Sequence, residues 1–153
     1  MQNQVHTKSQ ARKIGYRKAL KYTLLVYLSF EVWILYHETK GDFANGILFF
    51  IQEQLNSLVL SVVLLSILSS FVFGRSAGKK ILADGKNPIL IAGMFTISSC
   101  GVLMGYLFLL SWITTRAPVY WGGVAIGMFT LSLAIWSPTV WSIKRTGSKG
   151  LTR

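Results

Sequence analysis

The sequence is poor in the residues that perform chemistry. It holds five acidic residues, two histidines and one cysteine in 153 positions. A single cysteine, Cys100, excludes an intrachain disulfide and a cysteine-based metal cluster. Its place inside an apolar run predicts a small packing residue. Neither histidine, His6 or His37, belongs to an H-E-x-x-H pair, and there is no G-x-S-x-G elbow and no phosphate-binding glycine loop. His37 and Glu38 are adjacent, but two neighbouring ligands do not complete a metal site, so no metal is expected. The reading is of a protein that is not an enzyme and takes no cofactor.

Apolar residues are plentiful instead. The hydrophobic set makes up 52% of the chain and charged residues 14%. The formal net charge of +11 would suggest nucleic acid as a partner in a soluble protein. Here the cations lie between long apolar runs, and nucleic acid is not the expected partner. Four stretches, 20–37, 47–74, 88–113 and 119–143, come close to or exceed the roughly 20 apolar residues that cross a bilayer core. Asn87-Pro88 and Ala117-Pro118 are helix-start signals, and Asn45-Gly46 and Asp84-Gly85 mark the other breaks. Short connections make consecutive helices antiparallel neighbours. The expected fold is all-α, an integral membrane bundle of four transmembrane helices running up and down. A basic arm over 1–19 precedes the transmembrane domain of 20–143, and a basic tail over 144–153 follows it.

Lys and Arg resist translocation and collect on the cytoplasmic side. Lys8, Arg12, Lys13, Arg17, Lys18 and Lys21 lie before or at the first span, Arg75, Lys79, Lys80 and Lys86 between the second and third, and Lys144, Arg145, Lys149 and Arg153 after the fourth; only Lys40 and Arg116 of the 16 basic residues fall on the other side. Both termini are therefore expected in the cytoplasm, and a bacterial inner membrane is the expected home. No small-residue cleavage site follows the first run, which reads Trp33-Ile34-Leu35-Tyr36-His37-Glu38, so it is expected to be retained. Trp33, Trp112 and Trp121 fall near the outer interface and Trp141 near the inner one, where indole rings anchor.

Within the spans the carboxylates are Glu31 and Glu53, costly to insert and therefore candidates for function. Thr23, Tyr27 and Glu31 share one helix face, and Gln52, Glu53, Asn56, Ser57 and Ser61 form a stripe on the next helix. The candidate intramembrane polar site is thus Tyr27, Glu31, Gln52, Glu53 and Asn56. Two neighbouring carboxylates would share a proton or attract a cation. Alternatively, Glu53 sits in a hydrated interfacial turn and Glu31 is neutral or hydrogen-bonded.

Small residues mark the expected helix contacts. Gly123, Gly127, Thr130, Ala134 and Ser137 recur every three or four positions, and Ser98, Gly101 and Gly105 repeat the pattern in the preceding span. The third and fourth helices are expected to pack on each other through Gly101, Gly105, Gly123 and Gly127. Arg12, Lys13, Arg17, Lys18 and Lys21 are expected on a surface helix touching anionic lipid at the cytoplasmic face. The basic, glycine-containing segment 74–80 lacks the Walker spacing.

Two functional readings follow. The first is a non-enzymatic accessory, assembly or immunity-type protein that binds another membrane protein, or a further copy of itself, through its helices. The second is a small oligomeric transporter or channel using Glu31 and Glu53 for a proton or cation.

Overall fold

A computed structural model of the chain describes residues 8–39, 57–114 and 121–149. They form four helices: α1, Lys8–Thr39; α2, Ser57–Gly78, prolonged by a π-helical segment, Lys79–Ala83; α3, Pro88–Thr114; and α4, Trp121–Lys149. Three stretches, Leu60–Ala83, Pro88–Trp112 and Trp121–Gly147, are long and apolar enough to cross a membrane. In each, 28% of the apolar window is buried in the bundle, so most apolar side chains point outward, as a protein solvated by lipid requires. The chain reads as a multi-pass membrane protein.

The link between α2 and α3 shows how sequence sets a boundary. Gly85 takes a left-handed φ of 63°, which a side chain would oppose, and the backbone N–H of Lys86 donates to the Lys80 carbonyl at 2.9 Å. Asn87 Oδ1 then accepts from the Ile89 N–H at 2.9 Å, capping α3 immediately before Pro88. Both breaks stand where the sequence signals place them. The segment 74–80, in contrast, is not a loop: it completes α2 and enters the π turn.

The basic arm is likewise helical and continuous with the first apolar run. Over Lys8–Thr39 there is one helix, and Ala11, Gly15 and Ala19 of the arm are buried in the bundle. Its basic residues lie on the outer faces while Ala11, Gly15 and Ala19 pack inward, so the arm is not a separate surface helix. The expected start of the second span, 47–56, lies outside the described residues.

The helices form a ring. α1 packs on α2 and α4, α3 packs on α4 and less extensively on α2, and α1 and α3 make no contact among the described residues. The α1–α2 pair is antiparallel, since Gly15 lies by Gly78 while Tyr27 lies by Ser66. The α3–α4 pair is too, with Phe95 against Trp136 at one level and Phe108 against Trp121 at another. The start of α1 and the end of α4 consequently share one end of the bundle. Buried side chains gather in that half, where Ile91, Phe95, Ile135, Trp136, Val140 and Ile143 form the core with Ala19, Ala77 and Ile81. Phe73, Phe95 and Trp136 join α2, α3 and α4 through ring centroids 5.3 to 6.2 Å apart.

Candidate functional site

The closest helix contact is the one between α1 and α2. Ala11, Gly15, Ala19 and Thr23 recur every fourth residue in α1, and Ser66, Ser70, Gly74 and Gly78 do so in α2. A β-carbon on Gly78 would overlap the Ala11 carbonyl oxygen and stand 2.8 Å from Cα of Gly15, and one on Gly74 would stand 2.9 Å from Cα of Tyr16. The two backbones touch, which maximises dispersion where lipid gives no hydrophobic drive between helices.

One and two turns further along α1, hydroxyls replace the glycines. Thr23 and Ser70 share a hydrogen bond of 2.5 Å between buried hydroxyls, and Tyr27 and Ser66 share one of 2.7 Å. Pairing satisfies groups that would be costly to leave alone in hydrocarbon. The sequence places Thr23 and Tyr27 on one inward face, and they are there. Their partners are Ser66 and Ser70, however, ten or more residues beyond Gln52, Glu53 and Asn56. Those three residues lie outside the described residues. Glu31 is half-buried, one turn beyond Tyr27 on the same face of α1. Among the described residues the seam sets hydroxyls against small residues, an arrangement that can hold two helices in register. Among the described residues no three His, Cys, Asp or Glu side chains converge as metal ligands would.

The small residues of α3 and α4 depart from expectation. A β-carbon on Gly101, Gly105 or Gly127 would meet nothing within 4 Å, and Gly123 is exposed. The contact between these helices is made instead by large side chains, with Phe95 and Trp136 at 5.3 Å and Phe108 and Trp121 at 5.6 Å. Gly123, Gly127, Thr130, Ala134 and Ser137 are all exposed and form one outward stripe along α4. The Thr130 hydroxyl donates to the Ile126 carbonyl at 2.8 Å, which leaves its methyl group on the surface. The stripe is therefore a shallow groove that no described residue fills.

Arg12, Lys13, Arg17 and Lys21 are exposed and Lys18 is half-buried, on the outer faces of α1. Trp33, Trp112 and Trp141 are exposed, and Lys144 Nζ stands 5.2 Å from the Trp141 ring, an aromatic and a cation together near the end of α4. Trp121 is half-buried against Phe108. Sequence reasoning missed Trp136, whose ring is buried at the centre of the core, and Ser66, Ser70, Gly74 and Gly78. The repeat of small residues every fourth position in α2 is the signal that could have found the latter four. No family model, no curated protein and no solved structure matches the chain.

Proposed function

We propose that the chain is a four-span protein of a bacterial cytoplasmic membrane, with both ends inside, that works by docking a helix of another membrane protein onto α4. The observation that carries this reading is the outward stripe Gly123, Gly127, Thr130, Ala134 and Ser137. Small residues at this spacing let a second helix approach until backbones touch. The same device is already used inside the molecule between α1 and α2, where it is covered; on α4 it is open to the surroundings. The paucity of titratable groups and the antiparallel ring of helices suit a non-enzymatic accessory or assembly role. Charge asymmetry supports the sidedness, and α1 supports a fourth span because it runs antiparallel along a helix apolar enough to cross.

A photo-crosslinking residue at Thr130 in the full chain, expressed in its own host, tests this. It should give a discrete adduct with a different membrane protein, while the same probe at outward Leu68 on α2 gives none. Gly127→Leu should abolish the adduct with an unchanged melting temperature, since a side chain there touches nothing in the bundle. An adduct of twice the chain's mass would replace the partner with a second copy. Diffuse lipid adducts at both positions would remove the reading.

A further inference from the structure

At the end of the bundle where α1 begins, a cleft of about 550 Å³ opens between α1 and α2, lined by Lys8, Ser9, Arg12, Lys13, Tyr16, Phe71 and Arg75. Its floor is aromatic. Tyr16 and Phe71 meet edge to face at 5.5 Å, and the Arg75 guanidinium lies over Phe71 at 5.0 Å from the ring centroid. Its walls are cationic, for Lys8 and Arg12 lie one turn apart on α1, Lys13 sits beside Arg12, and Arg75 faces them from α2. No carboxylate lines it among the described residues. Among the described residues Glu31 lies toward the other end of α1, and Asp84 is the acid at the end where the cations of α1, α2 and α4 gather.

Four cations drawn to one cleft repel each other, and the arrangement becomes favourable when an anion lies among them. Two guanidinium groups on different helices match the oxygens of a phosphate, and the lysines add point charges around it. Phe71 lies one turn from Arg75 toward the apolar part of α2, so an acyl chain leaving the cleft along Phe71 would run over outward Leu68 and Leu64. We propose that this cleft binds the phosphate of an anionic lipid headgroup, a discrete site rather than a diffuse attraction. The inference rests on the membrane placement of the chain and not on the docking stripe of α4, so loss of partner binding in Gly127→Leu leaves its test unaffected.

The test is native mass spectrometry of the full chain released from micelles supplied with phosphatidylglycerol or phosphatidylcholine. The chain should retain phosphatidylglycerol preferentially, and Arg12→Gln with Arg75→Gln should lower that retention about tenfold or more. The control pair Arg17→Gln with Lys21→Gln removes the same charge from exposed positions outside the cleft and should lower it about twofold. Lys8→Gln with Lys13→Gln provides a second cleft variant should the first fail to fold, and helicity by circular dichroism identifies that failure. Equal losses in cleft and control pairs, or no preference for the anionic lipid, would overturn the proposal. Displacement of the lipid by millimolar inorganic phosphate would overturn the lipid assignment in favour of a soluble phosphate.

Discussion

One methyl group separates what α1 and α2 tolerate from what they do not. Gly78 has no room for it, because Ala11 and Gly15 of α1 occupy that space, whereas Gly93 of α3 has nothing within 4 Å. Gly78→Ala should therefore force the backbones apart and lose about 1–3 kcal/mol, the usual cost of overpacking. Gly93→Ala should be neutral or stabilising by up to about 1 kcal/mol, because alanine is the better helix former. Reversible unfolding in mixed micelles measures both. If the two variants unfold together, the close approach of α1 and α2 does not hold the bundle. Glycine content alone carries no such information: Gly78 and Gly127 look alike in the sequence and have opposite surroundings.

At the scale of the helix, hydroxyl pairs extend the glycine contact. Thr23 with Ser70 is the buried pair, and its coupling is measurable by a double-mutant cycle of Thr23→Val and Ser70→Ala. Such bonds average about 0.6 kcal/mol in membrane helices and reach about 1.7. We expect the upper part of that range, since both hydroxyls are buried; a coupling indistinguishable from zero would show that packing alone sets the register. The helices themselves were largely legible. Span length, Asn87-Pro88 and Asp84-Gly85 mark the α2–α3 connection because helix breaks are written in local chemistry. Which face of each helix turns inward is less legible. In lipid the inward and outward faces are both apolar, so periodicity of hydrophobicity says little, and only size and hydroxyl spacing remain. The pattern of α4 is conspicuous yet faces out, while Ser66, Ser70, Gly74 and Gly78 face in because α1 happens to supply Ala11, Gly15, Ala19 and Thr23 at the matching period. Complementarity belongs to the pair, and neither sequence shows it alone. For the candidate polar site, Thr23 and Tyr27 could be placed from their own spacing, but their partners depend on a register that reaches across two helices.

Across the whole molecule, the buried core and the cations occupy the same end. The apolar stretches of α2, α3 and α4 are long enough for three crossings, and the number of basic residues on each side predicts which end faces the cytoplasm. The fourth crossing turns on α1. Its early residues Ala11 and Gly15 pack beside Gly78, near the end of α2, and Tyr27 packs beside Ser66, so α1 lies along α2 for several turns and cannot rest flat on the membrane surface without leaving that contact. Cysteine accessibility tests the arrangement, starting from Cys100→Ala. Lys86→Cys reports the exposed α2–α3 connection. Cysteines at Thr39 and Thr115 should react with an impermeant maleimide in intact cells, and cysteines at Lys86 and Ser148 only after permeabilisation. None of these four distinguishes three crossings from four, because Thr39 precedes α2 on the outer side in either case. Ser9, exposed at the start of α1, does distinguish them. If α1 crosses, Ser9→Cys is shielded in intact cells along with Lys86→Cys; if α1 stays outside, Ser9→Cys labels with Thr39→Cys. Reaction of Lys86→Cys from outside would invert the whole bundle, whereas reaction of Ser9→Cys alone would detach α1 from α2 and with it the seam and the basic cleft.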